Sequence, residues 1–66
     1  MKTDDIAKRF IDEKELAAMT GFALQTIRNW RFRRQGPSYL KINRAIRYEL
    51  GEVLRYMDQH RVNLES

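Results

Sequence analysis

Apolar residues recur at helical spacing in the middle of the chain. Ala23, Ile27 and Trp30 occupy positions i, i+4 and i+7, a pattern that predicts an amphipathic helix over residues 24–33 with Ile27 and Trp30 facing inward. The opposite face of that helix then carries hydrogen-bond donors and one aromatic ring: Gln25, Arg28, Asn29, Phe32 and Arg33.

A shorter helix is predicted immediately upstream, over residues 13–19. Asp12 followed by Glu15 has the spacing of a capping box, which satisfies free amide groups at a helix start. Gly21 stands where a glycine commonly ends a helix. Three apolar residues in or just after this helix are expected in the core: Leu16, Ala17 and Phe22.

Strand signals follow the second helix. The Gly36-Pro37 step stops the helix, and the stretches "SYLKI" and "AIRY" are rich in β-branched and aromatic residues, which predicts a β-hairpin over residues 39–48. Asn43 and Arg44 lie between the strands, and asparagine tolerates the left-handed backbone of tight turns. The expected apolar pairs are Leu40 with Ile42 and Ile46 with Tyr48, and the expected outer cations are Lys41 and Arg47. A two-stranded hairpin is marginally stable alone, so we expect it to pack on the helices.

A third amphipathic helix is predicted over residues 50–60, from apolar residues at i, i+3, i+4 and i+7: Leu50, Val53, Leu54 and Met57. Residues 1–9 carry mixed charge and little apolar periodicity, so we expect a flexible N-terminal arm there. Residues 62–66 are expected to form a frayed tail. The 66 residues of the chain thus predict one domain, over residues 10–61.

Charge is distributed unevenly along this sequence. The chain has 13 basic and 9 acidic residues, but residues 25–48 contain no acid and the following bases: Arg28, Arg31, Arg33, Arg34, Lys41, Arg44 and Arg47. A solvated basic face explains most charge runs of this kind. Arginine, however, also forms bidentate contacts with phosphate and guanine, so a polyanionic partner is the second interpretation.

Two helices joined by a short glycine-containing turn, the second with a basic outer face, are typical of a helix-turn-helix, although an ordinary pair of antiparallel helices has the same spacing. With the basic hairpin and the last helix, the predicted order is helix, turn, helix, hairpin, helix. We therefore predict a mainly α protein with a small β-hairpin, a winged helix-turn-helix of minimal size.

Four segments in these elements also carry a resemblance to a known family: "ELA" at 15–17, "QTIRNWR" at 25–31, "GP" at 36–37 and "IRY" at 46–48. Over residues 10–57 the chain resembles the small MerR-like winged helix-turn-helix proteins that include phage excisionases (recombination directionality factors) and AlpA-type prophage regulators. The resemblance implies that the second helix enters the major groove of DNA. It also implies that the hairpin wing reaches the neighbouring minor groove or the backbone.

By matching position, the resemblance implies two sets of DNA-contacting residues. The major-groove set is Gln25, Thr26, Arg28 and Asn29, and the wing set is Lys41, Asn43 and Arg44. The chain departs from the family at Ala23, where a capping Ser or Asp is usual, at Asn43, where glycine is usual, and at Ala45, where a basic residue is frequent. An absent cap costs about 1 kcal/mol, and the wing is expected to grip DNA less firmly than in relatives.

Side-chain chemistry agrees with this assignment. Gln25 and Asn29 can pair bidentately with adenine, and Arg28 with guanine. Arg44 at the wing tip is expected in the minor groove. The side chains expected at phosphates are Arg31, Arg33, Arg34, Lys41 and Arg47. Two of these have an alternative within the fold: a structural salt bridge for Arg47, and pairing with Glu49 or another carboxylate for Arg31.

The aromatic residues are interpreted mainly as packing groups. Trp30 is expected in the core rather than as a base-stacking platform. Phe32 faces outward on the helical wheel, where it could cover the hairpin, contact a thymine methyl group or meet a neighbouring copy of the protein. The three tyrosines are expected to pack: Tyr39, Tyr48 and Tyr56.

Several classes of protein are disfavoured. The chain has no cysteine, so it has no disulfide framework or thiolate metal site. No apolar run approaches the roughly 18 residues of a membrane span, and the N-terminus is too polar for a signal peptide, so we expect a cytoplasmic protein without a membrane partner. His60, the sole histidine, is expected at the surface, and no catalytic set or glycine-rich phosphate loop accompanies it. We therefore expect no enzyme activity, no cofactor, no metal and no small-molecule ligand.

Three functions remain open. The preferred one is an architectural recombination factor, copies of which bind cooperatively side by side near an attachment site, bend double-stranded DNA and help a phage-type integrase to excise. The second is a small prophage-type transcriptional regulator that uses the same module. The third is a protein-interaction module whose basic face binds an acidic partner.

Overall fold

The structure, a computed structural model, describes residues 9–64. Its elements follow in the order β1 (Phe10–Ile11), α1 (Glu13–Thr20), α2 (Leu24–Phe32), β2 (Tyr39–Ile42), β3 (Ala45–Glu49) and α3 (Leu50–Gln59). The predicted helices and hairpin are thus confirmed to within one residue at each end, and the layout is that of a small winged helix-turn-helix. Of the expected flexible arm over residues 1–9, all but Arg9 lies outside the described residues, as do residues 65–66 of the tail.

Both ends of α1 have the predicted caps. The Asp12 side chain accepts a hydrogen bond from the Glu15 amide at 2.8 Å, and the Glu15 carboxylate accepts one from the Asp12 amide at 3.4 Å. Gly21 ends the helix in the left-handed conformation, with φ 80°, and its amide donates to the carbonyl of Ala17 at 2.8 Å. A residue without a Cβ adopts this conformation at no steric cost, which is why the glycine ends the helix.

The ends of α2 are less well supported. Ala23 at its start makes no capping hydrogen bond through its side chain, as the residue type predicts. At the other end, Arg34 lies in the left-handed region with φ 57°. The Arg34 amide donates to the carbonyl of Arg31 at 3.2 Å, and the Gln35 amide donates to that of Trp30 at 2.7 Å. These are the two hydrogen bonds of a Schellman motif, in which the left-handed residue is usually glycine.

Gly36 allows the turn after α2 to lie directly against the Trp30 side chain of that helix. Its φ is 84°, and a Cβ at this position would lie 2.8 Å from a ring carbon of Trp30. The turn can therefore pack directly on the indole only because residue 36 has no side chain. Pro37 follows in a buried position, and the half-buried Trp30 packs against the core rather than standing free as a stacking platform.

The sheet has three antiparallel strands in the order β1-β3-β2, one more than the predicted hairpin. In β1, Phe10 pairs with Glu49 and Ile11 with Tyr48, and the Leu50 amide donates to the carbonyl of Arg9 at 2.7 Å. A third strand gives β3 a hydrogen-bonded neighbour on each side. The hairpin is therefore stabilised within the sheet as well as by packing on the helices.

The register of β2 against β3 corrects the expected faces of the hairpin. Lys41 pairs with Ile46, whereas Leu40 pairs with Arg47. Because directly paired residues share a face of the sheet, Lys41 and Arg47 lie on opposite faces and not together on the outer side. Leu40 and Ile42 accordingly lie on the face away from the helices and are exposed.

The core lies between the inner face of the sheet and the three helices. Its fully buried members are Ile11, Leu16, Ile27, Tyr48 and Val53, and the partly buried residues around them are Ala17, Trp30, Ile46 and Leu50. Burial of Leu16 and Ile27 confirms the inward faces predicted for α1 and α2. None of the helices in the described part of the chain combines the length and apolar character that a membrane crossing requires.

Two expectations about the core are wrong. Phe22 is 46% exposed, because the turn after α1 carries it to the rim of an apolar groove, where its ring meets Trp30 edge-on at a centroid distance of 5.3 Å. In the stripe predicted for α3, Val53 packs inside, but Leu54 and Met57 are exposed. Leu50 is partly buried against the core, so only the first half of the predicted stripe packs inside.

Candidate nucleic-acid interface

The outward face of α2 presents the polar side chains that the helical pattern placed there. All five residues of that face are exposed: Gln25, Arg28, Asn29, Phe32 and Arg33. The Gln25 side-chain amide donates to the Asn29 Oδ1 at 3.0 Å, so the two candidate adenine-reading groups are already aligned along the helix. Thr26, the remaining member of the predicted major-groove set, is half-buried at the start of α2.

Arg28 does not extend freely from this face. Its Nη2 donates to the Glu13 Oε2 at 2.8 Å, and its Nε donates to the same oxygen at 3.2 Å. Glu13 is the first residue of α1, so this ion pair joins the two helices of the helix-turn-helix. The Arg28 side chain nevertheless stays 48% exposed, which leaves part of the guanidinium available to a ligand.

Arg31 is held inside the fold by three groups. Its Nη2 donates to the Glu13 Oε1 at 2.7 Å, its Nη1 donates to the Tyr48 hydroxyl at 3.0 Å, and its guanidinium carbon lies 5.9 Å from the centre of the Tyr39 ring. The side chain is only 17% exposed. Of the two roles open to Arg31, the structure favours pairing with a carboxylate, which is Glu13 and not Glu49.

These contacts stabilise the charged forms of all three groups. The hydrogen bonds from Arg28 and Arg31 lower the pKa of Glu13 from 4.5 to about 2. Burial by itself would lower the pKa of Arg31, but its hydrogen bonds with Tyr48 and Glu13 raise it above the ordinary value. The pKa of Arg28 is raised by its hydrogen bond to Glu13 and by the charge of that carboxylate.

The rest of the basic segment is uncompensated. Within residues 9–64, five of its cations have no carboxylate partner: Arg33, Arg34, Lys41, Arg44 and Arg47. Arg47 donates to the carbonyl of Ile46 at 2.7 Å and makes no salt bridge within the described range, so the structural alternative for this residue has no support there. Unpaired, exposed cations of this kind are available to an anionic partner.

One cleft brings the helix and wing residues together. It has a volume of about 400 Å³ and lies between the start of α1, α2 and the β2–β3 hairpin. Arg28 from α2 and Arg44 and Arg47 from the hairpin line it, with Glu13 and Lys14 on the α1 side. The predicted major-groove residue Arg28, the predicted wing residue Arg44 and the predicted phosphate contact Arg47 therefore share one surface. Lys41, on β2, does not line this cleft.

Two further positions complete the surface. Asn43 occupies the left-handed conformation at the hairpin turn, with φ 57°, as its residue type suggested, and leaves Arg44 exposed beside it. Phe32 is 89% exposed at the end of α2. That exposure shows that Phe32 does not cover the hairpin, and it leaves contact with DNA or with a neighbouring copy as the two remaining alternatives.

No known family model, curated protein or solved structure matches this chain. Membership of the MerR-like family therefore stays a prediction from the quoted sequence segments.

Sequence reasoning missed Glu13 as a member of the site. Its contacts with Arg28 and Arg31 span 15 and 18 residues of sequence, so no local spacing indicates them. The available signal was only that Glu13 belongs to the acidic cluster preceding the basic segment. The left-handed backbone of Arg34 was equally invisible, because glycine or asparagine would be expected there.

Proposed function

We propose that this protein binds double-stranded DNA sequence-specifically, with α2 in the major groove and the tip of the β2–β3 hairpin at the adjacent minor groove or backbone. The proposal rests on one observation above all. Five exposed cations without a carboxylate partner in residues 9–64 flank a helix face that carries Gln25, Arg28 and Asn29. The amide and guanidinium groups of these three residues can read base edges, and the flanking cations can hold phosphates.

The dimensions of α2 support this docking. An α-helix with its side chains is about 10–12 Å across, and the major groove of B-DNA is about 12 Å wide, so α2 can enter it with its exposed face toward the bases. The hairpin arginines extend the same surface beyond the helix. Binding, not catalysis, is the proposed activity.

The proposed biological role is that of a recombination directionality factor, which loads near an attachment site and bends DNA for a phage-type integrase. The sequence resemblance supports this role. A lone module of this kind buries about 600–1,000 Å² on DNA, so useful affinity calls for copies bound side by side. The exposed Phe32 offers an apolar contact for such a neighbour.

The DNA-binding proposal is tested by titrating the protein against fluorescent duplex DNA at several salt concentrations. If about five phosphates are neutralised, log affinity should fall with log salt at a slope of about −4 to −5. Arg44→Gln should reduce the slope by about 0.9. Arg55→Gln removes a cation from α3, where Arg55 pairs with Glu52, and should leave the slope unchanged. A flat salt response of the wild type would favour an acidic protein partner instead.

The biological role needs a separate assay. Integrase-dependent excision is measured with and without the protein, and footprinting then locates the sites it occupies. Stimulated excision and repeated sites in phase with the DNA helix are expected. Unchanged excision together with altered promoter output would support the regulator instead.

A further inference from the structure

Glu13 is a carboxylate in a cleft that four arginines line. It contacts both Arg28 and Arg31 of α2 from the first turn of α1, and its side chain is 20% exposed. The contact with Arg31 fixes its position, because Arg31 is itself held by the Tyr48 hydroxyl. Glu13 is therefore not a mobile surface acid that happens to meet Arg28.

The geometry of the contact determines which edge of Arg28 stays available. A guanidinium carries five N–H donors in a planar fork. Glu13 takes the side edge, formed by Nε and one hydrogen of Nη2. The end edge, formed by Nη1 and the other hydrogen of Nη2, has no partner within residues 9–64. Two parallel donors on that edge match the O6 and N7 acceptors of guanine.

The charge of Glu13 also affects which ligand groups Arg28 can bind. Its negative charge lies in the same cleft as Arg28, Arg44 and Arg47. A phosphate group that approached Arg28 would be repelled by this carboxylate, whereas the neutral edge of a guanine would not. Asp12 also lines the cleft, but Arg44 and Arg47 on the wing form no salt bridge within residues 9–64 and remain suited to phosphate.

We propose that Glu13 is a positioning residue for sequence readout: it holds the side edge of Arg28, presents the end edge to guanine and keeps Arg28 from binding a phosphate. This inference rests on the proposed DNA binding. It adds that specificity depends on an acidic residue of α1, outside the helix that enters the groove.

The test compares wild type with Glu13→Gln, which keeps the side chain's size and removes its charge. Each protein selects duplexes from a pool with a randomised central segment, and affinities are then measured for the selected duplex and for one with its guanine replaced. Discrimination by Glu13→Gln should fall about 5- to 10-fold, while affinity for unselected duplex rises about threefold. Glu52→Gln, which removes an equivalent acid from the Arg55 pair on α3, is the matched control and should change neither value.

A double-mutant cycle separates positioning from a general loss of structure. In an Arg28→Ala background, Glu13→Gln should cause no further loss of discrimination, because the residue through which it acts is gone. Circular dichroism melts establish that each variant is folded at the assay temperature. A drop in discrimination that persists without Arg28 would overturn the inference.

Wild-type protein supplies a readout that does not depend on any variant folding. In NMR spectra, the Arg28 Nε–H resonance should stay protected in the complex with the selected duplex, and the Glu13 carboxyl should stay ionised there. Loss of that protection on binding would show that DNA displaces Glu13, which contradicts positioning. An equal gain in affinity for all duplexes by Glu13→Gln would also contradict it, since that outcome marks a carboxylate that only competes with DNA.

The two proposals fail in different ways. If wild type binds no duplex, the proposed function is wrong. If wild type selects a sequence and Glu13→Gln selects the same sequence equally strongly, the function stands and the role of Glu13 is wrong.

Discussion

Replacing Arg34 by glycine should make the protein more stable while weakening its binding to DNA. Arg34 follows α2 with φ 57°, in the left-handed region that side chains with a Cβ disfavour. The surrounding Schellman hydrogen bonds at 3.2 and 2.7 Å use backbone atoms only, so Arg34→Gly keeps them. Arg34 is exposed and has no acidic partner within residues 9–64, so under the proposed function its cation offsets the local strain by binding DNA.

The size of the stability gain follows from two opposing terms. Relief of the left-handed conformation is worth about 1–2 kcal/mol. Glycine also makes the unfolded chain more flexible, which costs about 0.4–1 kcal/mol. The midpoints of these two ranges differ by about 0.8 kcal/mol, so the free energy of unfolding should rise by about that amount, which for a domain of this size shifts Tm upward by roughly 3–6 °C.

The effect on DNA should have the opposite sign. If Arg34 contacts one phosphate, Arg34→Gly reduces the salt slope of binding by about 0.9 and weakens all duplex sequences alike, because a phosphate carries no sequence information. Arg34→Ala is the matched variant. It removes the same cation but keeps a Cβ in the left-handed backbone, so it should lose the same affinity without gaining stability.

Thermal melts and salt-dependent anisotropy on these two variants decide the matter. Equal melting temperatures for Arg34→Gly and Arg34→Ala would refute the strain argument. Unchanged salt slopes in both variants would refute the phosphate contact of Arg34 and leave its left-handed backbone without a functional reason.

Three further predictions concern separate parts of the site. Gly36→Ala should lower the free energy of unfolding by about 2–4 kcal/mol, because φ is 84° and the new Cβ would meet the Trp30 ring at 2.8 Å. Urea melts measure this loss, and a smaller one would show that the turn can shift. Acid should selectively remove the contribution of Glu13: its pKa is about 2 in the folded protein against 4.5 in the unfolded chain, so the contribution is complete above pH 4.5 and is lost as pH falls toward 2. The pKa shift limits this contribution to the free energy of unfolding to about 3 kcal/mol, and solvent screening reduces it to about 1–2 kcal/mol. Urea melts of wild type and Glu13→Gln across this pH range measure it as the difference between the two proteins. Arg28→Ala should lose discrimination between duplexes, whereas Arg33→Ala should weaken all of them alike; identical behaviour of the two would contradict the division into reading and phosphate-binding residues.

The helices of this protein could be read from local sequence because their signals are local. The capping box at Asp12 and Glu15, the glycine at Gly21 and the inward spacing of Ile27 and Trp30 all act within two turns of chain, and all are present in the structure. The helical period of these side chains places them on one face of each helix, and that face packs on the core.

The sheet and the ion pairs could not be read in this way. β1 has two residues, too few to show a period. In β2, the apolar residues Leu40 and Ile42 suggest one face, but the pairing register assigns the opposite face to the core, and register depends on the turn and on β3. Contacts of Glu13 across 15 and 18 residues require the two helices to be packed first.

The support of α2 by its neighbours explains how its surface can be so rich in exposed polar groups. A nine-residue helix is marginal alone, and this one lacks a side-chain cap at Ala23 and has a strained residue just beyond its other end. Tertiary contacts compensate: Ile27 is fully buried, Trp30 packs on the chain at Gly36, and Glu13 holds two arginines of the helix from α1. Because the inner face and one acid from α1 fix the helix, the outer face contributes little to folding apart from Arg28. Residues on that face can therefore be chosen for a ligand at little cost in stability, which is the condition a reading helix has to meet.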